Sequence, residues 1–573
     1  MPSVAEEEAV AIGVDADPSS HANFRDAIIR HLHLRWKVDF QRKIIEAKAE
    51  LHVILLKNHV MELVTKGICF FCRLDAKSLQ IHRVYCETTR SNLAYNLKRV
   101  SGIKDMGECL TVQLPIGMAK DAEIVVQIDY TVPSNASALQ WLNAEQTADK
   151  QHPFMFSQCY PIHARSILPC QDTPAVKQTY TAEVTVDAPL VALMSALSCE
   201  EPTSKGSCTL FHYEQQVPVP SYLIAIVVGA LVKRDLGGRC AVWAESTMLE
   251  AAAFEFAETE SMLQCAEKLL GPLNAAFATF CERKISGRVA KSEWHRHFLA
   301  FNGIKNLTYA VKELLPPSEP NHVFTKMVPD LKGASPEDVW LAVPDEKGHS
   351  LLFYLEQKLG GADLFEEFMR AYIQEFQFKS ITTSVWRQFL FAYFEKRGKK
   401  ELLADVDWDA WLYSTGMPPI VPEYDQTLVA ECTDLSEKWL RAGDAEVAAF
   451  TAAELIRMAA QQRDQFLTQL VNKAPLPHYK LARMQELYEL NQTNNSDICF
   501  AWIRLGLLSH WEPIVSIAHD FITAQGRMKF VLPIYKDLYN WKETRSDTIQ
   551  LFRANQPFMH STTAEKVAHI LHL

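Results

Sequence analysis

The apolar residues of this chain change their repeat once along its length, and that change limits what the chain can fold into. Over residues 31–40, HLHLRWKVDF, the alternation is complete: Leu32, Leu34, Trp36, Val38 and Phe40 share one face, and His31, His33, Arg35, Lys37 and Asp39 share the other. Period two predicts a half-buried strand. Ile124, Val126, Ile128 and Tyr130 repeat the pattern, and further strand-like runs lie at 180–196, 209–218 and 222–232 with Pro and Gly between them. Residues 22–232 therefore read as a mostly antiparallel β-domain. From Leu249 the repeat becomes helical. The stretch AAAFEFAETESMLQCAEKLLG predicts one helix with Phe256, Met262, Leu263, Leu269 and Leu270 inward, ending at Gly271. A second helix follows, with Leu273, Phe277, Cys281 and Ile285 on one side, and residues 350–395 add more.

Residues 416–425, GMPPIVPEYD, are rich in Pro and Gly and hold a linker at 418–425. Beyond it, 426–573 reads as short amphipathic helices in series, punctuated by Pro475, Pro513 and Gly526, with Ser496 as an N-cap. Such helices suggest a solenoid-like all-helical domain. The fold class expected is thus α+β and multidomain: a β-domain (22–232), a middle region (233–417), the linker, and a helical domain. Residues 1–21, with an acidic front and no apolar core, read as a disordered leader, not a signal peptide.

Composition narrows the function classes. The net charge of −11 is spread along the chain, which argues against a nucleic-acid partner, and no run of Lys or Arg suggests a membrane surface. The longest apolar run, Tyr222 to Val232, is too short for a membrane helix, which needs roughly 20 residues. The 13 Cys are scattered and point to a reducing compartment, so a cytoplasmic location is expected. Cys69 and Cys72 form a lone C-x-x-C; on a strand their thiols face opposite ways, so two buried small hydrophobes are expected there. His31 and His33 share a face with three charges and read as solvated, not as a metal pair.

Several long stretches resemble the leukotriene A(4) hydrolase and aminopeptidase family of gluzincin zinc exopeptidases. They include SALQWL at 137–142, FSQCYPIHARSILPCQDTPAVK at 156–177, PSYLIAIVVGAL at 220–231, FAETESML at 256–263, LLFYLEQKLGG, VDWDAWLYSTGMPPIVPEYD and QGRMKF. The resemblance implies a β-domain, a thermolysin-like middle domain and a helical domain. It also implies zinc-dependent removal of N-terminal residues from peptides, with an epoxide-opening activity in some members. In the family a Gly-x-Met-Glu-Asn loop is followed by H-E-x-x-H, which supplies two zinc ligands and the general base, and then by Asn-Glu-Gly, whose Glu is the third ligand.

The sequence departs from that pattern at its centre. None of the 19 His is followed by Glu, and Gly271-Pro272 runs straight into Leu273-Asn274-Ala275-Ala276. The substrate loop and the two-His helix have no counterpart, and Ala275 stands at the third ligand. The family's oxyanion-steadying Tyr lies in VPYEKG; here VPDEKG puts Asp345 there, where a carboxylate would repel a developing oxyanion. His295 and His297, two apart on a helix, cannot ligate together. The truncated middle domain should also leave Leu273, Phe277 and Phe280 short of packing partners. By resemblance, Gln158 contacts substrate, Tyr160 stands where the family has a second Gln, and Arg527 and Lys529 grip a substrate carboxylate. No catalytic residue and no metal ligand is expected, and no cofactor. The function expected is an inactive aminopeptidase-like protein that binds peptides or other carboxylates, its protein partners unknown. The alternative is an active zinc aminopeptidase or epoxide hydrolase whose sequence here is an incomplete gene model or splice form, with zinc as its cofactor.

Overall fold

The computed structural model describes residues 17–57, 71–99, 106–115, 118–270, 278–315, 317–318, 320–336, 342–559 and 561–573. The chain forms two compact units, one of Met1–Lys291 with Asn302–Pro422 and one of Ser292–Phe301 with Glu423–Leu573.

The first unit begins with β1 (Ala27–Asp39), whose inward residues Leu32, Leu34, Trp36 and Val38 are buried as their alternation requires. It pairs antiparallel with β2 (Ile44–Leu55). With β3 (Gln80–Cys86), β4 (Glu123–Val132), β5 (Gln178–Asp187) and β6 (Cys208–Val219) it builds a nine-stranded sheet whose central order is β6-β5-β1-β2-β4-β3. Every pairing along this order is antiparallel except β1 with β5, which is parallel, since the chain returns to β1 only after a crossover of well over a hundred residues. Cys72 lies buried in a second sheet, on strand Phe71–Ala76; its C-x-x-C partner Cys69 lies outside the described residues.

Two expected strands are divided. The run 180–196 breaks after Asp187, where Pro189 cannot continue the ladder, and resumes as Val191–Met194 in another sheet. The run 222–232 opens with a single 3₁₀ turn at Ser221–Leu223. It then gives strand Ile226–Gly229 and, after it, β7 (Leu231–Gly237), which forms a hairpin with β8 (Cys240–Glu245).

A fully buried Arg165 organises the polar part of this core. Its Nε donates to Asp172 Oδ2 at 2.9 Å, Nη1 to the Met106 carbonyl at 2.9 Å and Nη2 to the Ser19 carbonyl at 2.8 Å. Asp75, also fully buried, lies 3.7 Å from Nη1 and accepts from Ser20 Oγ, the His21 N–H and the Asp172 N–H. Ser19 to His21, at the end of the stretch read as a leader, are thereby tied to the sheet. Such groups tolerate burial only when their hydrogen-bonding capacity is filled.

After the hairpin the unit becomes helical: α1 (Leu249–Glu255), α2 (Thr259–Leu270), α3 (Ala278–Val289), α4 (Glu293–Tyr309), α5 (Ala342–Leu359), α6 (Ala362–Phe376), α7 (Thr383–Glu395), α8 (Lys400–Ala404) and α9 (Trp408–Tyr413). The single helix expected over 251–270 is broken at Phe256–Glu258, and its apolar face does not pack as read. Leu269 and Ala266 are buried, but Phe256 and Met262 are 52% and 43% exposed and Phe254 is 84% exposed. Conversely, Phe280 has not lost its partners. It is 1% exposed and packs on Phe365 and His349. Leu273 and Phe277 lie outside the described residues.

The inward face of α3 is charged, which its apolar residues did not suggest. Arg283 makes a two-pronged pair with Glu346 of α5, Nη2 lying 2.8 and 2.7 Å from the two oxygens. Lys284 reaches Glu356 at 2.5 Å and Glu366 at 2.8 Å, and Arg288 also holds Glu366. Gly303 of α4 leaves the space for the first pair: a Cβ there would stand 2.1 Å from Glu346 Oε2 and 2.3 Å from Arg283 Nη2.

The second unit contains the first turns of α4 and α10 (Thr427–Arg441), α11 (Asp444–Val447), α12 (Ala453–Ile456), α13 (Ala460–Val471), α14 (His478–Tyr488), α15 (Ser496–Leu508), α16 (Val515–Ala524), α17 (Met528–Asn540), α18 (Arg545–Asn555) and α19 (Ser561–Ile570). Its core gathers one apolar stripe from most of these helices, among them Trp439, Phe466, Trp502, Ile534 and Val567. Helix α15 is capped by Asn495 and not by Ser496: the Asn495 side chain accepts from the Asp497 and Ile498 N–H groups. Among the described residues no helix is long and apolar enough to cross a membrane.

Candidate functional site

In the first unit, a tight turn after strand Phe154–Ser157 carries Gln158 and Tyr160 outward, both exposed, while Cys159 between them is buried. Tyr160 meets Tyr222 edge-to-face with ring centres 5.2 Å apart. Burial raises the pKa of the Tyr160 phenol, and the negative charge of Asp345, at the start of helix α5, adds to the rise. Asp345 lies in the first turn of α5 with much of its surface open to water. Its carboxyl is nonetheless raised, chiefly by partial burial, with the Arg283 guanidinium pulling the other way. Next to it, burial raises Glu346 against the pull of Arg283, and the Asp345 and Glu282 charges add to the rise. Tyr222 and Arg283 are part of this group and were not singled out in the sequence; nothing in their local pattern marks them.

Lys347, one residue further, is fully buried and donates to the Thr325 carbonyl at 2.8 Å and the Ser414 carbonyl at 3.0 Å. Burial lowers its pKa to about 8. Two carbonyl acceptors account for the ammonium, which pins the start of α5 to two loops.

A zinc hydrolase needs three nitrogen, sulfur or carboxylate ligands converging on one point. Among the described residues no group of three or more His, Cys, Asp or Glu is arranged to hold a metal ion. The histidines that sequence inspection raised lie elsewhere. His31 bonds Thr179 Oγ1 at 2.8 Å, His33 bonds Thr181 Oγ1 at 2.7 Å, and His297 accepts the Asp425 N–H at 2.8 Å. Among the described residues, therefore, no donor set fits zinc. Ala275 lies outside the described residues.

In the second unit, Arg527 and Lys529 come together at the start of α17, both exposed. They flank the buried Phe530, their charged ends 6.0 and 4.5 Å from its ring centre. Phe530 is fixed by Phe500 and Phe521, at 5.3 and 5.7 Å. Lys529 Nζ is also paired with Asp497 of α15 at 2.8 Å, a partner that the sequence did not reveal. Arg527 has no ion pair among the described residues, which leaves its planar fork of donors open to an external carboxylate.

Three family models match successive parts of the chain: the peptidase M1 N-terminal domain over residues 30–223, the peptidase family M1 domain over 272–411, and the leukotriene A4 hydrolase C-terminal region over 458–571. Leukotriene A-4 hydrolase of Xenopus laevis is 37% identical, covering 97% of this chain and 99% of that protein. Leucine aminopeptidase 2-2 of Meyerozyma guilliermondii is 30% identical, covering 93% of each. The frog alignment extends over 625 positions against a chain of 573 residues, so at least 52 of them have no residue here. Among solved structures, yeast LTA4 hydrolase in complex with bestatin has a TM-score of 0.87 at 24% identity, covering 100% of this chain and 99% of that one. An M1 zinc metallopeptidase from Deinococcus radiodurans gives 0.52 at 16%, covering 71% and 99%. The N-terminal β-sheet domain, the middle M1 peptidase domain and the C-terminal helical domain are those of this fold, and the chain belongs to the leukotriene A4 hydrolase family of M1 peptidases.

Proposed function

We propose that this protein is a catalytically inactive member of a family of zinc aminopeptidases and epoxide hydrolases, acting without a metal cofactor by binding peptides or other carboxylate ligands. Its working domain boundaries are 22–232, 233–417 and 426–573, and its setting is the cytoplasm. The observation that carries the reading is Asp345. Asp345, whose charge acts on Tyr160, is a carboxylate at the position where the family resemblance places a hydroxyl donor. It cannot stabilise an oxyanion, and it lies far along the chain from the Gly271 junction, so one missing segment does not account for both changes. The recognition residues Gln158 and Tyr160 in one unit, and Arg527 and Lys529 in the other, remain exposed.

Purified, chelator-free protein is expected to hold no stoichiometric zinc and to release nothing above background from amino-acid chromogenic amides. One tightly bound zinc per chain with chelator-sensitive turnover would overturn the reading. Short peptides with a free C-terminus are expected to bind at about 0.1–1 mM, because one carboxylate contact supplies little energy beyond the cost of association. Amidating the C-terminus, or Arg527→Ala, should remove most of that affinity. Equal affinity for acid and amide forms would leave these cations a purely structural role.

The second reading, an active zinc aminopeptidase or epoxide hydrolase, is favoured by the 52 or more positions of the frog protein that face a gap. A transcript that carries an H-E-x-x-H coding segment between the codons for Leu270 and Ala276 would establish it.

A further inference from the structure

The side chains around Arg527 and Lys529 are aromatic, and their arrangement bears on what else a ligand of this pair would carry. Both cations stand over the ring of Phe530, which is only 1% exposed and therefore closed to a ligand. Its ring neighbours are open in part. Phe500 of α15 and Phe521 of α16 pack on the helical core and on Phe530, yet both are half-buried, so each keeps some ring surface in water. A third cation joins them: the Arg504 guanidinium lies 5.8 Å from the Phe500 ring centre and is held by Asp537 of α17 at 2.7 Å. Gln525 Nε2 donates to Ser496 Oγ at 3.2 Å, which ties the turn before Arg527 to the start of α15. Phe530 and the two rings that touch it are thus carried on three tied helices, with cations set against Phe530 and Phe500.

A cation over a ring is held loosely compared with a cation bonded to a carboxylate. Both cations and both half-buried rings share Phe530 as a neighbour, so a carboxylate gripped by Arg527 and Lys529 lies within a side-chain length of Phe500 and Phe521. The group bonded next to that carboxylate meets the rings. An aromatic group gains there a tilted or edge-to-face contact of the kind the three phenylalanines already make, at interplanar angles of 55° and 73°. A glycine hydrogen gains nothing. We infer that the Arg527–Lys529 site selects peptides whose C-terminal residue is aromatic, with Phe500 and Phe521 setting that preference. The inference rests on the carboxylate binding proposed above for the same pair, and adds which carboxylates it takes.

The test uses the full chain and the peptides acetyl-Ala-Ala-Phe and acetyl-Ala-Ala-Gly, each as free acid and as amide, with affinities taken from ligand-observed NMR. The Phe acid should bind about three- to tenfold more tightly than the Gly acid, the yield of one aromatic contact. Saturation transferred from the unmodified protein to the Phe acid should be strongest on its phenyl protons and weaker on the alanine methyls. In Phe500→Leu/Phe521→Leu, whose fold is verified by its melting curve, the two acids should bind within about twofold of each other, as the contact is gone. Equal affinity of acids and amides would overturn the carboxylate reading, and this inference with it. A retained preference for acids, with Phe and Gly bound alike, would leave that reading standing and overturn the inference alone. So would a preference for Phe that survives in the leucine variant, or saturation strongest on the alanine methyls.

Discussion

Arg165 and Arg283 are both buried guanidinium groups of one compact unit, and they are housed differently. Arg165 lies between two carboxylates, and Nε, Nη1 and Nη2 each donate to a named acceptor. Arg283 lies on a single carboxylate: Nη2 reaches both Glu346 oxygens, while the buried Nη1 has no hydrogen-bond partner. Around Arg165 the sheet core is continuous from Ala27 to Val228. Upstream of Arg283, by contrast, Phe254 and Phe256 stand in water, and each such side chain left exposed forgoes roughly 1.5–3 kcal/mol of burial. Polar groups buried in full networks rigidify a core, and partly filled ones weaken it. Among the described residues, the Arg165 guanidinium has its donors filled and the Arg283 guanidinium does not.

The comparison is broken most directly by deleting each arginine. Arg165→Met leaves Asp75 and Asp172 without their cation in a dry core, and losing a buried ion partner typically costs about 3–5 kcal/mol. With two carboxylates orphaned, the loss should reach the top of that range, read as a large drop in the urea midpoint or as insoluble protein. Arg283→Met should fall at or below about 3 kcal/mol, since one carboxylate is orphaned and can protonate. Burial already raises the Glu346 pKa, and losing Arg283 raises it further. A folded-state pKa above the unfolded value makes the penalty larger as pH rises, so the Arg283→Met deficit should be greater at pH 8 than at pH 5. Equal losses at the two arginines, with no pH dependence, would end the distinction.

Gly303→Ala tests the same pair from the other side. Alanine is worth about 1 kcal/mol more than glycine within a helix. Its methyl, however, would enter the space of the Arg283–Glu346 pair, and overpacking costs about 1–3 kcal/mol. The clashing atoms are side-chain ends, but both are buried and bonded to each other, so they cannot swing away. A net loss of about 1 kcal/mol is expected in thermal melts, against a gain if the pair is loose.

The strand side has a smaller, pH-dependent signature. Burial lowers the pKa of His31 and of His33 below the usual 6.5. His52, His33, Glu214 and Glu123 act on His31; Arg35, Glu50, Glu183 and His52 act on His33. Because the unfolded imidazoles take up protons first, the stability they contribute is complete above about pH 6.5 and is lost as pH falls through their folded values. His31→Gln/His33→Gln should therefore flatten the decline in melting temperature between pH 7 and pH 5 relative to the parent.

These contrasts explain what the sequence made legible. The alternation of β1 needs only local spacing, so the strand and its buried face could be read directly from residues 31–40. The Arg165 network could not, because Ser19, Asp75, Met106 and Asp172, the last also bonded by the Ser221 hydroxyl, converge only in the folded chain. The charged interior of α3 was hidden for a related reason: a buried Arg or Lys looks like a surface residue until its Glu partners on α5 and α6 are in place. The helix break at Phe256–Glu258 and its exposed rings went unread because periodicity reports which residues share a face and not whether anything covers it. At the candidate site, Asp345 stood out by resemblance, whereas the Tyr160–Tyr222 contact and the Asp497–Lys529 pair are tertiary facts.

That last pair gives the smallest expected effect, and it extends the comparison from stability to binding. The Lys529–Asp497 bridge is exposed on both sides, a setting in which ion pairs contribute about 0–1 kcal/mol. Asp497→Asn should therefore leave the melting temperature within about 2 °C of the parent. It also removes the carboxylate that competes with any ligand for Lys529. If Arg527 and Lys529 act together on an external carboxylate, Asp497→Asn should tighten binding of a short free-acid peptide by about three- to tenfold, on the order of 1 kcal/mol, while leaving the amidated peptide unaffected. The same substitution in an Arg527→Ala background should give a smaller gain, because Lys529 alone offers a point charge where the pair offers a fork and a charge. An unchanged or weakened affinity after Asp497→Asn would show that the bridge orders Lys529 for binding and does not compete for it. An equal gain for acid and amide would separate the effect from carboxylate recognition altogether.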